Sequence, residues 1–126
     1  MANNRYFMTG TYEEDGETRA CVGIMNLNPS DWTFEGFFLA PESPYRTDKI
    51  KGRVFTTRNE RKLVFTRQHE REKIDYVLEK PTRRGMRNEN AGKYEGLWSC
   101  TRDGVFCGED EIEITLRKVC PNNNNS

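Results

Sequence analysis

Apolar and polar residues alternate with a period of two along most of this chain, the signature of half-buried β-strands rather than helices. Tyr6, Met8, Gly10 and Tyr12 share one face of a first strand, which the turn-forming EEDGE (13–17) ends. Residues 18–27 (TRACVGIMNL) are apolar on both faces and run into the turn NPSD (28–31). Trp32, Phe34, Gly36 and Phe38 line a third strand, closed by APESPYRTD (40–48), where two prolines forbid continued pairing. In the fourth, Ile50, Gly52 and Val54 alternate with Lys49, Lys51 and Arg53. KLVFTRQH (62–69) and IDYVLEK (74–80) follow, separated by EREK, and a long basic loop runs from Pro81 to Ala91. Tyr94, Gly96 and Trp98 give a seventh strand, and DEIEITLRKV (110–119) an eighth with the cleanest alternation of all. Only residues 56–80 are rich enough in Glu, Lys and Arg to suggest a helix. Val64, Phe65, Ile74, Tyr76 and Val77 argue for strand there, and no N-cap precedes a helical apolar stripe.

Eight short strands joined by turns predict an all-β fold: a single eight-stranded antiparallel up-and-down β-barrel over residues 1–120, with residues 121–126 as a disordered Asn-rich tail. Closure removes the unpaired edges that such a sheet would otherwise expose. One motif supports a barrel: a large residue two places before and after a Gly, in MTGTY (8–12), FEGFF (34–38), IKGRV (50–54) and YEGLW (94–98), with CVGIM (21–25) a looser copy. Inward glycines let a strand coil sharply where a Cβ would crowd the opposite wall, and they leave room for a ring from a neighbouring strand.

The last hairpin carries its own register test. Asp103-Gly104 is the favoured type I′ pair, which sets Cys100 against Cys107. Carried further, that register puts the apolar sets on opposite faces of the sheet. One extra residue, a β-bulge at Gly108, restores Ile112 opposite Gly96 and Ile114 opposite Tyr94. Cys100 and Cys107 are then about 5.5 Å apart at Cα, within disulfide range. Two reduced thiols are the expected state, ahead of a disulfide and then a metal.

Composition refines this picture. With 126 residues, 32% of them charged, the chain suits one domain whose strands each keep one face wet. The net charge is zero but uneven: residues 1–45 carry two bases against seven acids, residues 46–93 fifteen against seven, and residues 94–126 three against six. A basic middle can hold an anionic partner locally, yet no global basic field exists to draw nucleic acid, so that partner is not expected. MANNRYFMTG offers no secretory apolar core and no run is long enough to span a membrane, so a cytoplasmic location and no membrane association are expected.

Candidate chemistry is sparse. The phosphate-loop, dinucleotide, zinc-protease and serine-hydrolase motifs are all missing, and His69, the lone histidine, lies in a charged run. No catalytic residue, metal ligand or cofactor is therefore assigned, and the chain is expected not to be an enzyme. The acidic stretches EEDGE and GEDEIE (108–113) lack calcium-loop spacing and read as solvated turns. In the basic loop, Arg83, Arg84 and Arg87 are the candidate contacts for a protein or anionic partner, and no aromatic residue stands there to stack bases. Inside the barrel, Tyr12, Trp32, Phe38, Tyr76, Tyr94 and Trp98 make a candidate aromatic lining, and Arg67 shares the parity of Leu63 and Phe65. An inward Arg67 needs an acidic partner or a ligand.

The glycine-centred strands resemble those of calycin-type barrels and most of all the avidin family, whose Thr-Gly-x-Trp/Tyr pattern is echoed by TGTY (9–12), FEGFF and YEGLW. The resemblance implies a small barrel. It carries over no biotin site, because the family's polar contacts near the first turn have no counterpart in YEEDGE (12–17). YEGLW is also similar to the hairpin repeat of MORN proteins, but the regular spacing of that repeat is not kept. The functional expectation is a non-enzymatic protein binding a small molecule or peptide in an aromatic-lined interior. The alternative is an interaction module with a packed core, acting through the basic loop at 80–91. An eight-stranded barrel can be filled by side chains or hold one small ligand.

Overall fold

The computed structural model describes residues 4–39, 47–81 and 90–119, and all eight elements in it are strands: β1 (Arg5–Glu14), β2 (Glu17–Leu27), β3 (Thr33–Leu39), β4 (Thr47–Thr56), β5 (Glu60–His69), β6 (Glu72–Pro81), β7 (Gly92–Arg102) and β8 (Val105–Lys118). Each pairs antiparallel with the next, and β8 returns to β1, so the sheet closes into a barrel. The charged stretch from 56 to 80 is the β5–β6 hairpin rather than a helix: Val64 pairs with Val77 and Phe65 with Tyr76. The tail at 121–126 lies outside the described residues.

One end of the barrel, the turn end, carries the tight turns at 15–16, 70–71 and 103–104. At the other, the terminal end, Leu27 N–H donates to the Asn4 carbonyl and Val119 N–H to that of Arg5, both at 2.9 Å. The two Asp-Gly turns, Asp15-Gly16 and Asp103-Gly104, have both residues at positive φ, as a type I′ turn requires. The predicted bulge is present. Arg102 pairs with Val105 and Thr101 with Phe106, but Cys100 pairs with Gly108, which leaves Cys107 as the extra residue. Beyond it Gly96 faces Ile112 and Tyr94 faces Ile114.

Inward parity fills the middle of the barrel with side chains. Met8, Met25, Ile50, Leu63, Leu78, Ile114 and Leu116 are buried, and rings from three strands interlock among them. Phe65 and Tyr76 stack with centroids 4.3 Å apart, while Phe38 meets Tyr76 at 5.5 Å and Phe34 meets Phe65 edge-on at 6.0 Å. The repeated glycines have a different steric cause from the one predicted. A Cβ at Gly10, Gly36 or Gly96 would lie 1.9 Å from the carbonyl oxygen of Glu113, Ile24 or Val77, and at Gly52 2.1 Å from that of Val64. The obstacle is the backbone of the adjacent strand, not the opposite wall. At Gly23 the nearest atom is again a neighbouring-strand carbonyl oxygen, that of Phe37 at 2.7 Å, with the Phe38 ring next at 3.1 Å.

Candidate functional site at the turn end of the barrel

At the turn end the inward residues become polar. β5 delivers Arg67 two positions beyond Phe65, and Asp48, the second residue of β4, lies two positions before Ile50, so both keep core parity. Arg67 is only 5% exposed. Its Nε donates to Asp48 Oδ2 at 2.6 Å and its Nη1 to the Tyr76 hydroxyl at 3.3 Å. The guanidinium also lies 5.7 Å from the Phe38 ring centroid. Burial works against its charge, but Tyr76 and Asp48 outweigh that and hold its pKa above the ordinary arginine value. The acidic partner that an inward Arg67 requires is thus Asp48. His69, at the end of β5, places Nδ1 3.4 Å from the other Asp48 oxygen.

Above this ion pair lies a small cavity, about 40 Å³, walled by Tyr12, Phe38, Tyr76 and Trp98, with Ile74 and Glu14 completing it beside Arg67. Trp98 is fixed by its indole N–H, which donates to the Glu13 carbonyl at 3.0 Å. Five of the seven predicted lining residues therefore converge here. The other two do not. Trp32 is not on the inner face: it precedes β3 in the turn, at φ 62°, and is 45% exposed. Its N–H closes that turn onto the Asn28 carbonyl at 2.8 Å, and the positive φ breaks the alternation that places Phe34, Gly36 and Phe38 inward. Tyr94 is inside, but toward the terminal end, where its hydroxyl donates to the Asn90 carbonyl at 2.6 Å; burial raises its pKa.

Ile74, Glu14 and Asp48 were available to sequence reasoning by parity, since each lies two residues from a predicted inward position (Tyr76, Tyr12 and Ile50). Asp48 is hidden by its place at the end of a proline-rich connection. Arg83, Arg84 and Arg87 lie outside the described residues.

Beside the cavity, Cys100 and Cys107 are joined by a disulfide with Cα atoms 5.3 Å apart, in place of the two thiols expected from a cytoplasmic setting. The tight Asp103-Gly104 turn brings the two residues near each other across β7 and β8, with Cys107 the extra residue of the bulge. Among the described residues, no three His, Cys, Asp or Glu side chains gather to hold a metal ion.

The arrangement offers aromatic walls, a buried guanidinium already balanced by a carboxylate, and space for a few atoms. A cavity that holds a drug-sized ligand measures about 300–1,000 Å³, so this one can accept only the tip of a ligand. No family model, curated protein or solved structure matches the chain.

Proposed function

We propose that the protein is a non-enzymatic binding protein, a calycin-like barrel that takes one small planar polar group, of amide or carboxylate size, from a small molecule or peptide at its turn end. The observation that carries this reading is the convergence of Tyr12, Phe38, Tyr76 and Trp98 above a buried Arg67, in a barrel otherwise filled by its own side chains. The flat faces of the rings suit a planar group, and the guanidinium supplies directed N–H donors to orient it. Since Asp48 neutralises Arg67, selectivity comes from hydrogen bonding and shape more than from net charge. The interior itself is core, so the rest of the ligand lies outside the barrel, unlike a ligand enclosed in an avidin-like cup. Titration with acetate, acetamide and short acetylated peptides, read on the Trp98 indole N–H resonance, tests this. A saturable shift that Ile74→Phe abolishes by filling the cavity is expected. A Trp98 signal that no member of the panel moves would sink the reading.

A second reading, a protein-interaction module, has an observation of its own. Across the outer surface from β8 to β4, Arg117, Phe7, Ile24, Phe37 and Lys49 stand in register. Phe7, Val22 and Phe37 are exposed, and with Leu39 and Thr47 they border an apolar groove of about 340 Å³. An apolar strip between two cationic rims fits a partner whose apolar ridge is flanked by carboxylates. A second copy of the same face would set basic rim against basic rim.

A further inference from the structure

The terminal end holds a second, separate site. Arg61 points into the barrel from the start of β5, paired in register with Lys80 on one side and Thr56 on the other, and is only 5% exposed. Its Nη1 donates to Asn90 Oδ1, but its Nε has no hydrogen-bond partner, and no carboxylate among the described residues forms an ion pair with it. A buried guanidinium without an anion is expensive, because it loses water and gains nothing of equal strength. Arg67 solves the same problem with Asp48; among the described residues Arg61 has no such partner.

Arg61 forms the inner wall of a groove of about 370 Å³, of a size that holds a small molecule. Its outer walls are Trp32 and Phe55, both exposed aromatics, and Arg53, whose guanidinium lies 6.0 Å from the Phe55 ring centroid. The Trp32 carbonyl accepts from Val54 N–H at 2.9 Å, which fixes the Trp32 backbone at the rim of β4. Asp31 stands at the same rim. Its Oδ1 accepts from Thr33 N–H at 3.0 Å and the Thr33 hydroxyl at 2.7 Å, and these bonds hold its pKa below the ordinary value. Asp31 is thus ionised and engaged with Thr33, and two arginines outnumber it in the groove.

We propose that this groove binds a planar aromatic anion, a ring carrying a carboxylate or phosphate. The ring lies against Trp32 and Phe55, and the acid group meets Arg61 and Arg53. The strongest contribution is the charge-assisted hydrogen bond to a guanidinium whose Nε is otherwise unsatisfied, and ring stacking adds selectivity.

The chain has two tryptophans, and they sit at opposite ends, so their indole N–H resonances report on the two sites separately. The full chain is titrated with benzoate, phenyl phosphate, benzyl alcohol and inorganic phosphate. Benzoate or phenyl phosphate should shift the Trp32 signal saturably while leaving Trp98 in place, with whichever binds more tightly naming the acid group. Benzyl alcohol and inorganic phosphate should bind at least about tenfold more weakly, and Arg61→Gln should raise the Kd of the aromatic acid by about tenfold. Should Arg61→Gln fail to fold, Arg53→Gln and Trp32→Leu, both at exposed positions, carry the same expectation, the latter read by calorimetry because it lacks the reporting indole. Equal binding of benzyl alcohol or of inorganic phosphate overturns the proposal. So does a Trp32 signal that none of the probes moves, or affinity that survives Trp32→Leu.

Discussion

A methyl group at Gly96 would occupy the place of the Val77 carbonyl oxygen, and the same holds at Gly10 and Gly36 against their own neighbours. The neighbouring strand would have to retreat and break ladder hydrogen bonds, so Gly96→Ala and Gly36→Ala should each lower unfolding free energy by about 3 kcal/mol in urea titrations. A change below about 0.5 kcal/mol would show that the strands part without penalty. Arg67 gives a second prediction at this scale. Arg67→Leu removes the nearest cation from the buried Asp48 carboxylate and should cost about 3–5 kcal/mol, whereas the double replacement Asp48→Leu/Arg67→Leu should recover most of that loss. Asp31 gives a third. Its folded pKa is depressed, so its contribution is present above the ordinary value of 3.8 and is lost as pH falls through the lower folded value. Asp31→Asn should therefore flatten the acid limb of thermal stability below about pH 4, with no change in slope near neutrality.

Among the elements, the β7–β8 hairpin combines the most constraints: a type I′ turn, a bulge and the Cys100–Cys107 bond. Closing so short a loop restricts the unfolded chain by about 2.5 kcal/mol. A reducing agent should lower stability by about that amount, with the turn preserving the hairpin, and Cys107→Ala should make the melting curve insensitive to reductant. An unchanged curve in the native chain would mean that the bond contributes nothing. This hairpin also marks what the sequence made legible. The clash of apolar parity across Asp103-Gly104 is a geometric contradiction with one cheap solution, and Gly108 supplies it. β8 nevertheless begins at Val105 rather than near Asp110, because the bulge lets pairing continue through a stretch whose outward residues carry no alternation. The oxidation of the cysteines was not legible, since spacing fixes their distance but not their redox state. Trp32 was misplaced for a related reason: parity counts residues from a strand that has not yet begun.

For the whole molecule, alternation plus glycine recurrence was enough to recover a closed eight-stranded barrel, because a period of two fixes which face is buried and closure follows from the edges. The division of the interior was not recoverable. Whether inward aromatics make a pocket or a plug depends on how rings from different strands interlock, and Phe34, Phe38, Phe65 and Tyr76 come from three strands, β3, β5 and β6. The outer surface adds a prediction at this scale. A helical peptide with a leucine ridge flanked by glutamates should bind the Phe7–Ile24–Phe37 strip, weaken with added salt, and lose affinity in Lys49→Glu/Arg117→Glu. Binding that ignores both salt and charge reversal would remove the acidic-partner reading, and dimerisation without peptide would point to a second copy instead.

The interlocked rings have one more consequence. They form a buried partition between two ends whose cavities share no lining side chain, and perturbations that lack common partners combine additively. Events at Arg67 and at Arg61 should then be thermodynamically deaf to each other: substitutions at Trp98 and Trp32 combined in one chain should give the sum of their separate effects. If both proposed sites bind as argued, either could change its specificity without retuning the other.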